Sequence, residues 1–317
     1  MVHLPPHTPV KYGFDPDKPP EVPPEAQNEG HFLPSFDERL WMFYRLWEPP
    51  QDIPVKATLL IVHGTVDHAG VYRELAREHL APRGIAVVAM DMRGWGRSDG
   101  ESMYIDSLTD TFVKDVVHMH KVVHAMPRLE SVSQRFLLGK SIGGLVTAFC
   151  VRYHPDLWTG LIGLSAAYQT SPALTPSSFV LGLLSLASSV VPKMSLKPIF
   201  NDPHVIVADE GALQKWREDE LCSKDRIRLG YALGLFFGCK ELAKNIENQF
   251  NLPMLMMIGS QDEVVTRSGH ELLLDANPNN TDKVLKVYDQ GRHNLLQEPS
   301  LKEQVTKDIL EWVLSHV

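Results

Sequence analysis

Residues 134–153 read Q-R-F-L-L-G-K-S-I-G-G-L-V-T-A-F-C-V-R-Y. The first seven form a short apolar run that closes on Gly139-Lys140, the signature of a buried parallel strand. From Ile142 onward the apolar residues recur at helical spacing. One residue, Ser141, is left for the turn, between Gly139 and Gly143. The five residues fit G-x-S-x-G. The pattern is weak by itself, because glycine and serine are common. Its setting, a strand followed at once by a helix, is the one a strained nucleophile turn requires.

The rest of the chain repeats the alternation. Strands are expected at 38–47, 57–64, 84–91, 134–140 and 159–165, with helices at about 70–82, 111–124 and 142–153 between them. The pattern then breaks: residues 168–250 read as helices and loops without a clear strand. It resumes with a strand at 252–260, a helix at about 266–276, a strand at 282–289 and a last helix at 301–314. Strands alternating with helices predict an α/β fold, a mostly parallel central sheet flanked by helices. The expected division is a Pro-rich arm over 1–28, a core formed by 29–167 and 251–317, and a helical cap over 168–250. Eight prolines in 1–28 remove donors and fix φ, so this arm is expected to be extended or loosely held.

The 317 residues are 44% hydrophobic and 22% charged, with a formal net charge of -8. That balance gives a large core and no electrostatic footprint for nucleic acid. Three widely spaced cysteines form neither a disulfide framework nor a C-x-x-C metal pair, which points to a reducing, cytoplasmic setting. The N-terminal residues lack the basic and apolar regions of a secretory signal. The longest uncharged run, Thr170 to Pro192, is diluted by glycine and serine and is too short to span a bilayer.

A serine hydroxyl needs a general base and an orienting acid. In a fold of this kind they follow in the order serine, acid, histidine, each just past a strand. The strand at 252–260 runs into Gln261-Asp262-Glu263, and the strand at 282–289 into Gln290-Gly291-Arg292-His293. Asp262 and His293 are therefore the expected partners of Ser141. Asp262 could equally cap a helix, and Glu263 competes with it, but Asp262 comes first after the strand. The oxyanion donors are expected to be the N–H of Ile142 and, from the loop His63-Gly64-Thr65-Val66-Asp67-His68, that of Thr65. His118, His120 and His124 lie on one predicted helix and read as surface histidines. No H-E-x-x-H pattern occurs, and neither a metal nor another cofactor is expected.

The blocks H-G-T-V-D-H-A-G-V-Y-R-E-L-A (63–76), D-M-R-G-W-G-R-S-D-G (91–100), G-K-S-I-G-G (139–144), G-S-Q-D-E-V-V (259–265) and G-R-H-N (291–294) resemble those of monoacylglycerol lipases. These are α/β-hydrolases of the serine-aminopeptidase-like, or lysophospholipase, group. The resemblance runs from about residue 29 to the C-terminus and includes P-K-M-S-L-K-P-I (192–199) in the cap. It implies the α/β-hydrolase fold, a triad of Ser141, Asp262 and His293, and oxyanion donors Thr65 and Ile142. It implies a single-chain lipid ester as substrate. A lysophospholipase or general carboxylesterase on the same triad is the alternative; a receptor that binds without turnover is a more distant one.

The departures fall around the triad. The family usually reads H-G-x-G in the oxyanion loop, where this chain has Val66. A β-branched residue tolerates positive φ badly, so the loop is expected to be shaped differently. Lys140 stands where the family often has histidine; it either adds positive potential or points at solvent. Val71 and Leu296 replace polar residues associated with the glycerol end of the pocket. Phe179, Leu183, Leu184 and Trp216 are further candidates for substrate contact. The run from Phe179 to Leu186 suits a lid helix, one face on a membrane or lipid droplet and the other lining an acyl tunnel. An ordinary buried cap helix is the competing reading.

Overall fold

The structure, a computed structural model, describes residues 11–169, 176–198, 202–244 and 246–317. Residues 1–10 of the Pro-rich segment, and Thr170 to residue 175 of the uncharged run, lie outside them. Among the described residues, eight strands form one sheet in the order β1-β2-β4-β3-β5-β6-β9-β10. They are β1 Gly30–Pro34, β2 Trp41–Trp47, β3 Ala57–Val62, β4 Ile85–Met90, β5 Gln134–Lys140, β6 Gly160–Leu164, β9 Met254–Gly259 and β10 Lys283–Tyr288. The two pairings that involve β2 are antiparallel; the other five are parallel. This is an α/β-hydrolase architecture.

The continuous apolar runs are explained by burial on both faces. Alternate residues of a strand point to opposite sides. Leu60, Val62 and Leu137 face a core built with α1 (Val113–Val123) and α2 (Ile142–Tyr153), through Val116, Leu145 and Phe149. Leu59, Ile61, Phe136 and Leu138 face a second core. It is closed by Leu75 and Leu80 from a helical stretch of 3-10 and π turns over 69–83, where a helix was expected, and by Val305, Ile309 and Trp312 from α7 (Lys302–Leu314). α6 (Arg267–Asp275) joins β9 to β10.

The strand order fixes where a site can form. The chain leaves β3 for β4 on one side and then crosses to β5 on the other. At such a switch point the loops beyond the carboxyl ends of β3 and β5 diverge and leave a crevice. Those two loops carry Thr65 and Ser141.

The chain between β6 and β9 supplies α3 Ser178–Ser188, β7 Ser195–Pro198, α4 Glu210–Glu218, β8 Arg226–Arg228 and α5 Leu229–Ala243. The two strands among its described residues pair with each other and do not join the main sheet. Two expectations change here. β1 was not foreseen, and β7 with β8 puts a small ribbon where only helices and loops were expected. Residues 11–28 are also not loosely held: Lys11 donates to Asp99 and, through Nζ, to the carbonyl of Gly96 at 2.9 Å. Phe14 packs on Trp41 with ring centroids 5.3 Å apart, and Glu25 pairs with Arg97.

Candidate active site

Ser141 is the hinge between β5 and α2, with φ 54° and ψ −123°. A non-glycine residue held there stores about 1–3 kcal/mol of strain, which surrounding contacts must offset. Its N–H donates to the carbonyls of Leu164 and Ser165, at 3.2 and 3.1 Å. Its carbonyl accepts from Gly144 and Ala167, at 2.9 and 2.8 Å. The flanking glycines are needed for close approach. A Cβ on Gly143 would lie 2.1 Å from the Val62 carbonyl oxygen, and one on Gly139 would lie 2.2 Å from Thr147 Oγ1. Ile142 opens α2, so its N–H is one of the donors that a helix start leaves without an intrahelical acceptor.

Past β9, Asp262 folds back on its own chain. One carboxylate oxygen accepts from the N–H groups of Val264 and Val265, at 2.9 and 3.0 Å. The other accepts from His293 Nδ1 at 2.8 Å. Both side chains are buried. Burial alone would raise the Asp262 carboxyl. The His293 ring beside it and the two backbone donors instead hold it below its ordinary value. An ionised carboxylate only accepts, so His293 Nδ1 carries the proton and Nε2 is left as the basic nitrogen. Asp262 does not cap α6, whose N-cap is Thr266, and Glu263 is exposed.

The loop after β3 is tied from several sides. Met92 N–H donates to His63 Nε2 at 3.0 Å, so His63 Nδ1 is the protonated nitrogen and donates to the Gly64 carbonyl at 2.7 Å. Trp95 Nε1 donates to the Thr65 carbonyl at 2.6 Å. The Thr65 hydroxyl bonds the Tyr231 hydroxyl of α5. Val66 avoids the left-handed region. Its departure from glycine is absorbed by packing: the side chain is buried against Ile206, Val207 and Leu213.

Ser141, Thr65 and His293 share a cavity of about 190 Å³ with apolar residues including Leu181, Leu184, Leu233 and Phe236. Of the residues expected to contact substrate, Leu184 lines it. Phe179 and Leu183 do not; they lie on the outer face of α3 and are 76% and 54% exposed. On a helix, 181 and 184 turn away from 179, 183 and 186, so the run could not supply one inner face. Val71, Leu296 and Trp216 line a separate cavity of about 460 Å³. Trp216 also donates from Nε1 to the Val66 carbonyl at 3.2 Å, bracing the loop from α4.

Three readings of individual residues change. Lys140 does not point at solvent: it is buried and bonds Asp67 and Asn294. His120 is buried, and His124 is partly buried and bonds Thr58 at 3.1 Å, so neither is a surface histidine. Burial lowers their pKa values to about 3 and about 4 respectively. His68, Asp219 and Cys222 gather with ligand atoms within 4.8 Å of one another, which the sequence gives no spacing to reveal. Gly70 N–H donates to His68 Nδ1 at 3.1 Å, so Nε2 carries the proton and bonds Asp219 at 3.0 Å. A metal on Nε2 would move that proton to Nδ1, facing another donor, and burial pushes the Cys222 thiol up. The cluster is a hydrogen-bonded brace between the loop after β3 and α4.

Residues 53–300 match the family described as serine aminopeptidase, S33. The chain belongs to that family. It is a monoglyceride lipase-like α/β-hydrolase, a carboxylic-ester hydrolase by class. This S33 hydrolase is 29% identical to a monoglyceride lipase of Rattus norvegicus over 275 residues, covering 86% of each chain. It is 28% identical to a monoacylglycerol lipase of Mycolicibacterium smegmatis over 279 residues, 86% of this chain and 93% of the relative. Among solved structures it resembles a Paleococcus ferrophilus monoacylglycerol lipase, with TM-score 0.75 and 25% identity over 87% of this chain and 99% of that one. Among the described residues of the S33 hydrolase, no helix is long and apolar enough to cross a membrane.

Proposed function

We propose that this hydrolase cleaves the ester of a monoacylglycerol to fatty acid and glycerol through an acyl-enzyme on Ser141. The observation that carries the reading is a serine and a carboxylate-oriented histidine opening into one apolar cavity. Ser141 Oγ attacks the ester carbonyl while His293 Nε2 takes its proton. The negative charge that develops on the carbonyl oxygen is met by the N–H groups of Thr65 and Ile142. Collapse expels glycerol, which receives the proton from His293. Water, deprotonated by the same nitrogen, then releases the fatty acid and restores Ser141. Asp262 holds the tautomer and stabilises the imidazolium.

The apolar lining favours long chains without any directed contact, since each buried methylene contributes about 0.8 kcal/mol. The segment 168–250 acts as a cap. Its helix α3 turns Leu181 and Leu184 to the cavity and Phe179, Leu183 and Leu186 outward. An exposed apolar face on a short helix suits shallow contact with a lipid surface, where the substrate resides. The setting we infer is cytoplasmic, with peripheral attachment to membranes or lipid droplets.

A carboxylesterase reading draws on a different observation. Val71 and Leu296, at the positions associated with glycerol contact in relatives, line the second cavity rather than the one containing Ser141. A panel of glycerol, choline-phosphate and methyl esters of varied chain length separates the two. Highest kcat/KM on long-chain glycerol monoesters supports the proposal. A preference for choline-phosphate esters, or for short soluble esters, overturns it.

A further inference from the structure

Lys140, Asp67 and Asn294 come from three separate loops, and each lies within two residues of one of the proposed machinery. Lys140 precedes Ser141, Asp67 follows Thr65 by two, and Asn294 follows His293. Their side chains meet. Lys140 Nζ donates to Asp67 Oδ2 at 2.6 Å and to Asn294 Oδ1. The three residues are only 2%, 2% and 3% exposed. The lysine stem reaches its partners across Gly64, where a Cβ would lie 2.8 Å from Lys140 Cδ. Asn294 is fixed in turn, its N–H donating to the Ile206 carbonyl at 2.7 Å.

A buried ion pair is weak evidence for stability, because desolvating both charges offsets most of their attraction. Its geometric effect is a different matter. One ammonium with directed bonds to two loops sets the distance of each from the strand end that carries it. We propose that Lys140 is a positioning residue: it clamps the oxyanion loop, through Asp67, and the histidine loop, through Asn294, against the nucleophile turn. This rests on the reading of Ser141 as nucleophile and His293 as base.

The clamp also balances charge. The titratable groups around Asp67 are Lys140, His63, His293, Tyr72 and Cys222; those facing His293 are Asp262, His270 and Asp67. Burial keeps His63 and His270 neutral, and Tyr72 and Cys222 protonated. The charged groups in this set are thus Asp262, Asp67 and Lys140. Without its ammonium, Asp67 would lose the group that holds its carboxyl below the ordinary value against burial.

The test compares Lys140→Met, Asp67→Asn, the double variant and Asn294→Ala with wild type on one soluble ester. Lys140→Met is expected to lower kcat about 10- to 100-fold, as misplacement by about 1 Å does, with KM changed less than about threefold. The double variant does not recover kcat. Should Lys140→Met fail to fold, Asp67→Asn and Asn294→Ala carry the test, each expected to lower kcat about tenfold at unchanged KM. Folded variants with wild-type kcat overturn the clamp. Labelling of the wild type by a fluorophosphonate, abolished in Ser141→Ala, is run alongside. Its absence sinks the nucleophile reading itself, a result separate from failure of the clamp.

Discussion

Replacing Asp262 by Asn changes one atom and, by the geometry above, inverts a proton. Asp262 Oδ1 holds the N–H groups of Val264 and Val265, at 2.9 and 3.0 Å. The asparagine carbonyl must stay there, since two buried backbone donors left unpaired would each cost about 1–3 kcal/mol. Its NH₂ group then takes the Oδ2 position, which lies 2.8 Å from His293 Nδ1. Two donors cannot face each other, so Nδ1 gives up its proton and Nε2 carries it. In the proposed mechanism Nε2 takes the proton of Ser141, and once it carries one of its own it cannot. Loss of the basic tautomer with geometry otherwise intact costs about ten-thousand-fold in kcat, or about 5 kcal/mol of transition-state stabilisation. The assay is steady-state hydrolysis of a monoacylglycerol and of a chromogenic ester, with thermal unfolding as the fold control. A variant with wild-type melting temperature and kcat within tenfold of wild type would refute the reasoning, because it would show that Asp262 does not set the tautomer.

Three further predictions follow from other parts of the molecule. Leu184→Trp fills the cavity shared with Ser141 and is expected to shorten the preferred acyl chain while sparing short esters, read as kcat/KM against chain length. Phe179→Ser with Leu186→Ser, on the outer face of α3, is expected to weaken binding to lipid vesicles several-fold, with hydrolysis of a soluble ester unchanged. Stability should fall as pH drops. Burial lowers His270 to about 4, so its contribution is whole above its unfolded value near 6.5 and is lost on acidification towards 4. The loss is up to about 3 kcal/mol, His120 acts in the same direction, and urea unfolding at pH 7 and pH 4.5 measures it.

The sheet was legible where its strands are buried on both faces. There the apolar runs are continuous and glycine ends them, as in A-T-L-L-I-V-H-G and Q-R-F-L-L-G-K. β1 was not: Gly30 and Pro34 bound it, and its burial is mixed along the strand. The edge position that tolerates such a sequence is set by pairing with β2, which local pattern does not encode. The order of Ser141, Asp262 and His293 along the chain was readable because each follows a strand. What touches them was not. Lys140 meets Asp67 and Asn294 only because β3, β5 and the loop after β10 end on the same side of the sheet. On sequence, its ammonium could equally add positive potential beside Ser141 or face solvent. The exposure of Phe179 and Leu183 was missed for a related reason: an apolar helix does not announce which side faces its cavity when both sides are apolar.

The central claim is that Ser141 is the nucleophile, activated by His293. Intact mass and peptide mapping after fluorophosphonate treatment test it most directly. One adduct per chain is expected, on the peptide containing Ser141, lost in Ser141→Ala and strongly slowed in His293→Ala. An adduct on another residue, or no adduct on the folded wild-type chain, would contradict it.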